Sequence, residues 1–385
     1  MSRLEQLINE LCPNGVEYVN IGSIVNYEQP TNYIVTSTDY NDNFDIPVLT
    51  AGQSFILGYT NEIENIYNAS IESPVIIFDD FTAAFKWVDF PFKVKSSAMK
   101  MLTSNIEKTT LRYIFHMMSS ICYSTDEHKR LWISRYSQLQ IPLPPLPVQE
   151  EIVRILDNFT ELTAELTAEL TARKKQYEYY RNSLLSESEL CTDGVEYRKI
   201  KDCFQRLRGT AITAGKMKEI ECEAGEIRVF AGGKTVVNAN EKDIPNANII
   251  RVPAVFVQSR GVIDVIYFEK PFTFKNEMWA YTHSEKTTVK YLFYFLKNNI
   301  QQFRSSASGM GSLPQISLPV TEDFLIPIPP LKEQERIVAI LDKFDALTTS
   351  INEGLPAEIE ARKQQYEYYR DNLLNFEKID IEVLI

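Results

Sequence analysis

The chain has 385 residues, of which 44% are hydrophobic and 24% charged, and its formal net charge is −12. This composition is typical of a globular protein and leaves room for two or three domains. No run of 18 apolar residues occurs, so we expect no membrane span. The five cysteines form no C-x-x-C pair, and with only three histidines they give no zinc-binding pattern. An odd cysteine count after a polar N-terminal segment predicts reduced thiols and a cytoplasmic location.

The first part of the chain is predicted to contain a short helix followed by a series of short strands. Apolar spacing predicts an amphipathic helix over residues 2–11, and CPNGVEY at 12–18 contains a turn. A helix is also predicted for LRYIFHMMSSI at 111–121. The predicted strands lie in DIPVLTAGQSFILGY at 45–59, in SPVIIFDDF at 73–81, in a hairpin-like pair at 85–94 broken at Pro91, and in a final strand over 129–146 that enters the proline turn.

The same order of segments returns in residues 200–325 with little identity. CTDGVEY at 191–197 repeats the first turn, and VPAVFVQSRG at 252–261 aligns with SPVIIFDDFT. The aligned loops differ, because Asp79-Asp80-Phe81 stands opposite Gln258-Ser259-Arg260 and Gln53 stands opposite Lys234. Two domains of one fold with different loop chemistry indicate one task applied to two targets. Drift after a duplication would leave the same pattern.

A proline-rich passage leading into a long helix also occurs twice. IPLPPLPVQEEIVRILDNF at 141–159 returns as IPIPPLKEQERIVAILDKF at 326–344, and RKKQYEYYRNSLL at 173–185 returns as RKQQYEYYRDNLL at 362–374. The first copy predicts a helix over 149–189, roughly 60 Å long at ~1.5 Å per residue. Both copies carry an apolar stripe, which an antiparallel coiled coil would bury. Gly354 and Pro356 predict a kink or split in the second copy.

The predicted stripe takes residues from both copies at intervals of three or four. Its members are Ile152, Leu156, Phe159, Leu162, Leu166, Leu170, Tyr177, Tyr180, Ile337, Leu341, Phe344, Leu347, Tyr366 and Tyr369.

Motifs of the common enzyme classes are missing from the sequence. GGKT at 232–235 lacks the upstream glycine of a phosphate-binding loop, because Arg228 occupies that position. Neither Pro-Pro pair follows the Asn or Asp of an adenine methyltransferase motif. The Glu-x-Lys at 127–129 is a single chance-level tripeptide. The sequence therefore predicts no catalytic residue and no metal site.

The repeated proline-rich passage, the two YEYYR blocks and the LTAE units at 162–169 resemble the specificity subunit of Type I restriction–modification systems. The resemblance covers the whole chain and is to the branch with four-residue repeats in the central helix. It implies a non-catalytic subunit with two target recognition domains, each reading one half of a bipartite, asymmetric site in double-stranded DNA. It also implies that the stripe helices set the spacer and dock two modification subunits, and that restriction subunits complete the assembly. Cofactors are expected on the partners alone: S-adenosylmethionine, ATP and Mg²⁺.

The implied fold is α+β, with two similar recognition domains of short strands separated by two long helices. The helices pack as an antiparallel coiled coil, in a pseudo-two-fold arrangement like a circular permutation. The predicted boundaries are an N-terminal helix and turn at 1–19 that completes the second helical region, a first recognition domain at 20–145, a central helix at 146–190, a second recognition domain at 191–328 and a C-terminal helix at 329–385.

Base reading requires polar and basic side chains on loops held by a rigid scaffold. The whole chain is acidic, but residues 200–325 have a positive net charge, because they carry 16 Lys or Arg and 13 Asp or Glu. The predicted DNA-binding residues of the first domain are Gln53, Asp79, Asp80, Lys86, Lys129, Arg130 and Arg135. Those of the second domain are Lys234, Gln258, Ser259, Arg260, Arg304, Ser312 and Gln315.

Two other interpretations stay open on the sequence alone. A non-catalytic adaptor could use the duplicated domains to bind proteins, and an enzyme could carry an unrecognised site.

The segment TELTAELTAELTA at 160–172 leads to a separate hypothesis, because its leucines recur every four residues. We expect it to act as a ruler that sets the distance between the two half-sites.

Overall fold

The computed structural model describes residues 2–50, 54–105, 107–123, 130–186, 195–233, 235–244, 246–308, 313–349 and 354–379. The chain divides into two compact units. Unit 1 comprises Met1–Leu166 and Ile359–Ile385, and unit 2 comprises Thr167–Glu358. This division cuts the central helix between Leu166 and Thr167, so each unit contains one recognition domain and parts of the long helices.

The first recognition domain begins after a capped helix. Ser2 and Glu5 form a capping box, in which the Ser2 hydroxyl accepts from the Glu5 amide and the Glu5 carboxylate accepts from the Ser2 amide. The elements that follow lead into the central helix. In chain order they are α1 (Arg3–Leu11), β1 (Glu17–Asn20), α2 (Ile21–Ile24), β2 (Val25–Glu28), β3 (Ile46–Leu49), β4 (Ile56–Thr60), β5 (Val75–Asp79), β6 (Phe85–Val88), β7 (Lys93–Val94), β8 (Met99–Ser104), α3 (Leu111–Ser120), β9 (Gln140–Leu143) and α4 (Leu146–Leu184).

The second recognition domain repeats this series. Its elements, followed by the two later helices, are β10 (Glu196–Lys199), α5 (Ile200–Cys203), β11 (Gln205–Arg208), α6 (Ala214–Ile220), β12 (Ile227–Phe230), β13 (Val236–Ala239), β14 (Ala254–Gln258), β15 (Asp264–Phe268), β16 (Phe272–Phe274), β17 (Trp279–Thr282), α7 (Lys286–Asn298), α8 (Ile300–Ser305), α9 (Leu318–Glu322), β18 (Leu325–Ile328), α10 (Leu331–Thr349) and α11 (Gly354–Leu373).

The described strands form the same three sheets in each unit. Unit 1 has the orders β2-β8-β5-β6, β4-β3-β7 and β1-β9, and unit 2 has β11-β17-β14-β15, β13-β12-β16 and β10-β18. The register of the two-stranded sheet agrees as well, because Tyr18 pairs with Pro142 and Tyr197 pairs with Pro327. A bulge at Val48/Leu49 shifts the register of β3 and β4, which their equivalents β12 and β13 do not share. The duplication found in the sequence is therefore a duplication of topology.

Two sequence predictions about strands are wrong. The segment 85–94 is not a hairpin, since β6 pairs with β5 while β7 joins the other sheet in parallel with β3. The final strand is confined to Gln140–Leu143, and the residues just before it form a 3-10 turn at Tyr136–Gln138. The alternation of apolar residues cannot show to which sheet a short strand belongs.

The central strand of each main sheet is covered on both faces. Ile76 and Phe78 of β5 enter one apolar cluster, whereas Val75 and Ile77 enter another. The equivalent strand β14 divides its side chains between two clusters in the same way. Because successive side chains of a strand point to opposite faces, burial on both sides requires the continuous apolar runs seen in the sequence.

The long helices pack in pairs within each unit. In unit 1 the ring of Phe159 stacks on Tyr369, with centroids 5.1 Å apart. In unit 2 the equivalent ring of Phe344 stacks on Tyr180 at 5.5 Å. The helix predicted over 149–189 is described as Leu146–Leu184, and residues 187–194 lie outside the described structure. Gly354, with φ +77°, is the first residue of α11. Residues 350–353, which precede it, also lie outside the described structure.

The predicted stripe is buried only near the start of each helix. Ile152 and Leu156 belong to the core of unit 1, and Ile337 and Leu341 to the core of unit 2. These four side chains fasten the helices to their own domains and are not available to another subunit. Leu162, in the ruler segment, remains 44% exposed.

Residues from near both ends of the chain complete unit 1. Val16 forms a parallel bridge with Lys378, and the Tyr18 hydroxyl donates to the Phe376 carbonyl. Gly15 has φ +92°, and a Cβ there would lie 2.4 Å from the Glu377 carbonyl oxygen. Only glycine fits this close, left-handed turn.

No helix in the described ranges is both long enough and apolar enough to cross a bilayer. The same ranges contain no cluster of three or more His, Cys, Asp or Glu side chains that could hold a metal ion.

Candidate functional site

The junction between each recognition domain and its helix is fixed by a glutamine. Gln149 donates from Nε2 to the Pro144 carbonyl at 2.7 Å, and Gln334 donates to the Pro329 carbonyl at 2.8 Å. A buried tyrosine adds a second bond, because Tyr113 and Tyr291 donate to the Pro142 and Pro327 carbonyls. Buried polar groups bonded in this way resist rotation of the helix start against the domain. The proline-rich passage is therefore a rigid joint in both units.

An aspartate on each long helix makes a second fastening. In unit 1 the Asp157 carboxylate lies 2.7 Å from Arg112 Nε and 2.8 Å from His116 Nε2. Burial opposes ionisation of Asp157, but the bonds from His116 and Arg112 outweigh it and lower the pKa of the carboxyl group. In unit 2 Asp342 takes the same place, held by Lys290 Nζ at 2.7 Å and by the hydroxyl of Tyr294. His116 and Tyr294 are therefore equivalent residues that bond to equivalent aspartates, and the residue at this position is a histidine in unit 1 and a tyrosine in unit 2.

We expect unit 1 to lose stability below about pH 6.5 because of His116. Its ring is buried, its Nδ1 faces the Tyr366 hydroxyl at 3.0 Å, and burial lowers its pKa despite the bond to Asp157. The unfolded state then binds the proton more readily, so the stability contributed is present above the unfolded pKa of about 6.5 and lost below it. Denaturant unfolding of His116→Gln between pH 8 and pH 5 should show a smaller dependence on pH than the parent. An equal dependence in both proteins would contradict this assignment.

The predicted residues of the second domain meet at the end of β14. Gln258 donates from Nε2 to the Gly233 carbonyl at 2.8 Å, and the Ser259 hydroxyl donates to the Glu277 carbonyl at 3.3 Å. Both side chains are buried, so they shape the loops and do not face a ligand. Arg260 follows as an exposed residue and forms an antiparallel bridge with the exposed Gln315. The structure therefore brings Arg260 and Gln315 side by side on the surface.

Two glycines let three loops close around Arg260. The Gly233 amide donates to the Arg260 carbonyl at 3.2 Å, and the Gly261 amide donates to the Pro314 carbonyl at 2.8 Å. Gly233 and Gly261 have φ of +70° and +82°, which other residues rarely adopt. A cavity of about 800 Å³ opens beside them, and its lining includes Arg260, Lys218, Lys275, two glutamates and several apolar side chains.

The other predicted residues of this domain lie apart or cannot be placed. Arg304 is exposed on α8, but its Nε donates to the Ile263 carbonyl at 3.1 Å. Lys234 and Ser312 lie outside the described residues, although Lys234 directly follows Gly233.

In the first domain, two predicted residues are interior. Asp79 accepts from the Phe81 and Thr82 amides and so forms the turn after β5. Asp80 Oδ1 accepts from the Leu131 and Trp132 amides at 3.1 and 2.9 Å, and Oδ2 lies 3.4 Å from Lys100 Nζ. The side chains of Asp80 and Lys100 are each only 1% exposed. Asp79 and Asp80 therefore hold the scaffold and leave the surface to other residues.

Three of the four basic residues predicted in the first domain are described, and all three are on the surface. Lys86 is exposed on the edge strand β6, Arg130 is exposed where the chain reaches Asp80, and Arg135 is exposed before the 3-10 turn. Gln53 and Lys129 lie outside the described residues. Sequence reasoning missed Lys100, whose signal was a single lysine inside the otherwise apolar MKML of β8.

Comparison with known proteins agrees with this architecture. A family model for the Type I restriction modification DNA specificity domain matches residues 13–173 and again residues 192–361. The chain is 44% identical over 404 residues to the Type I restriction enzyme EcoR124I/EcoR124II specificity subunit of Escherichia coli, covering 98% of each. It is 32% identical over 349 residues to a putative type I restriction enzyme specificity subunit of Haemophilus influenzae, covering 84% of this chain and 86% of that one.

Among solved structures, the crystal structure of the S subunit of a Type I restriction-modification system from M. genitalium matches with a TM-score of 0.62 at 14% identity. It covers 94% of this chain and 96% of that one. The chain belongs to the family of Type I restriction–modification specificity subunits, and the α+β fold with two similar domains and long helices is confirmed.

Proposed function

We propose that each recognition domain reads one half of a bipartite DNA site and that the helices set the spacer between the halves. The observation that carries this proposal is the duplication of one scaffold with different surface residues. Sheet order and the bond from the joint glutamine to a proline carbonyl are the same in both units, whereas Arg260 and Gln315 have no identical counterparts in unit 1. Rigid scaffolds that present variable loops are suited to reading different base sequences.

The test is to purify this chain with its modification subunit and to sequence the methylated bases in treated plasmid DNA. We expect one bipartite motif with a fixed spacer. Exchanging residues 200–325, which lie within the second domain, for those of a relative should change one half of the motif and leave the other. Methylation without sequence preference would overturn the proposal and favour a protein-binding adaptor.

We further propose that two copies of one modification subunit dock on equivalent faces of the long helices. Tyr179 and Tyr368 occupy equivalent positions in the two YEYYR blocks, and they are 70% and 66% exposed. Each makes an edge contact with the tyrosine that follows it. Exposed aromatic side chains are enriched at the centres of protein interfaces. An identical exposed residue on both helices fits a partner that is bound twice.

Substituting these tyrosines should remove the partners one at a time. We expect Tyr179→Ser or Tyr368→Ser to weaken binding of one modification subunit about 10- to 100-fold, and the double variant to weaken both. Mass photometry or analytical ultracentrifugation of the mixture would count the copies. Ile63→Ser, at an 83% exposed residue in the first recognition domain, is the matched control and should leave both copies bound. Two bound copies in the double variant would contradict the assignment.

Catalysis and its cofactors belong to the partner subunits in this proposal. The chain offers base-reading and docking surfaces, while S-adenosylmethionine, ATP and Mg²⁺ would bind to the modification and restriction subunits in the cytoplasm. The purified chain mixed with S-adenosylmethionine and DNA, without partners, should transfer no methyl group. Methylation by the chain alone would overturn this part of the proposal.

A further inference from the structure

One backbone hydrogen bond aligns the candidate surfaces of the two units. In unit 1 the Leu131 amide donates to the Asp80 carbonyl at 2.8 Å, and in unit 2 the Ile316 amide donates to the Ser259 carbonyl at 2.9 Å. In each case a segment that follows the central strand of the main sheet meets a segment that precedes the proline-rich passage. We call this meeting point the reading edge of each unit, formed by residues 80–81 and 130–132 in unit 1 and by residues 259–261 and 313–316 in unit 2.

Each reading edge carries one exposed arginine, but on opposite segments. The residue after Ser259 is Arg260, and the residue after Asp80 is Phe81. The residue before Ile316 is Gln315, and the residue before Leu131 is Arg130. Arg260 therefore corresponds to Phe81, and Arg130 corresponds to Gln315. The two reading edges therefore each present one guanidinium group, but from segments that are not equivalent.

Neither arginine side chain has a hydrogen bond or an ion pair within the described part of the chain, whereas the side chains of several other exposed arginines of unit 2 do. Arg206 pairs with Glu322 and Arg251 with Glu241, and Arg228 donates to Asn238. An exposed guanidinium without an internal partner is free to bind a ligand. Its five donors in a fixed plane match the two acceptors of a guanine edge in the DNA major groove.

Both edges are rigid enough to position an arginine. The Arg260 carbonyl is bonded to the Gly233 amide, and the bridge to Gln315 fixes the neighbouring segment. In unit 1 the buried Asp80 carboxylate accepts from the Leu131 and Trp132 amides and so holds the backbone directly after Arg130. A side chain is selective only if its backbone is fixed, because a mobile arginine would also donate to a phosphate.

We propose that Arg260 and Arg130 each read one guanine, in the half-sites of the second and first domain respectively. The neighbours suggest different surroundings for the two guanines. Gln315 beside Arg260 can bond an adjacent base edge, whereas the half-buried Phe81 near Arg130 can contact a thymine methyl group. Asp80 is a positioning residue for Arg130 and does not contact DNA. This inference rests on the proposed function, because it assumes that each domain reads one half-site.

Four variants, each assayed in the complex with the modification subunit, test the assignment. Arg260→Lys and Arg260→Ala should relax one guanine position in one half of the methylated motif, by about 5- to 150-fold. Arg130→Lys and Arg130→Ala should do the same in the other half. Lysine keeps the positive charge and the attraction to phosphate but lacks the rigid, planar pair of donors that fits the guanine edge. Each arginine thus provides the control for the other, because both half-sites are read in one experiment.

The outcomes separate this inference from the function on which it rests. Relaxation of one guanine in the expected half supports the inference. An unchanged motif in Arg260→Ala and Arg130→Ala, or weaker methylation of all sites without relaxation at any base, overturns it and leaves the proposed function standing. A parent complex that methylates no bipartite motif overturns the proposed function itself.

Discussion

Deleting Thr167–Leu170 from the central helix is expected to shorten the preferred spacer by one or two base pairs while leaving both half-sites unchanged. Four helical residues span ~6 Å, which corresponds to about two base pairs at ~3.4 Å each. The helix runs unbroken through this segment, from Leu146 to Leu184. The deletion also preserves the four-residue leucine repeat, because one complete unit is removed. Methylated-base sequencing of the variant complex would measure the new spacer.

Thr167→Ala is the matched control, since it alters the same repeat unit without changing the helix length. The control should keep the parent spacer. A deletion variant that methylates the parent motif with its original spacer would refute the ruler hypothesis. A change in either half-site would instead mean that the segment also shapes the recognition domains.

Lys100→Met is expected to destabilise unit 1 by about 3–5 kcal/mol, the cost of leaving one member of a buried ion pair alone. The ammonium group lies 3.4 Å from Asp80, with both side chains only 1% exposed. The ring of Tyr27, 5.3 Å from Lys100 Nζ, is the other described contact of the ammonium group. Removing the lysine leaves the Asp80 carboxylate in the interior without a positively charged partner, next to Trp132. Urea unfolding followed by tryptophan fluorescence in a Trp279→Phe background would report on unit 1, because Trp87 and Trp132 both lie there.

The double variant Asp80→Asn with Lys100→Met should be more stable than Lys100→Met alone. Asparagine keeps the oxygen that accepts from the Leu131 and Trp132 amides, and no unpaired charge remains. Unit 2 indicates that the fold tolerates such a change, because it has no charged residue at either position. Ser259 is equivalent to Asp80, and Trp279 on β17 is equivalent to Lys100 on β8. A double variant less stable than Lys100→Met would show that the pair stabilises unit 1 by more than charge neutralisation.

The repeat in the sequence was sufficient to predict that the topology is duplicated. Strand β5 pairs with β8 as β14 pairs with β17, and Gln149 and Gln334 make the same bond at the same place in the repeat. These agreements follow from the duplicated apolar pattern and from the two proline-rich passages, which survive because they fix packing. A repeated pattern constrains topology even where the identity between its copies is low.

The sequence could not separate base-reading residues from scaffold residues at the end of a strand. Asp79-Asp80 and Gln258-Ser259 follow apolar runs, as exposed loop residues do, yet all four side chains are buried. Asp79 accepts from amides two and three residues away, but the partners of Asp80, Gln258 and Ser259 lie far away in sequence. They are Lys100, Leu131, Gly233 and Glu277. Arg260 and Arg130, in contrast, are exposed and their side chains have no partner among the described residues. Whether a polar residue is satisfied internally depends on tertiary contacts, which local pattern does not encode.

Because unit 1 is built from two separate stretches of the chain, the newly synthesised chain can complete unit 2 before unit 1. Unit 2 is a continuous stretch, Thr167–Glu358, whereas unit 1 needs residues from both sides of it. The Tyr18 hydroxyl meets the Phe376 carbonyl across 358 positions of sequence. A ribosome therefore releases everything that unit 2 requires before the last segment of unit 1 emerges. A chain terminated early would present a finished second domain beside an incomplete first one, so it could recognise only half of a target.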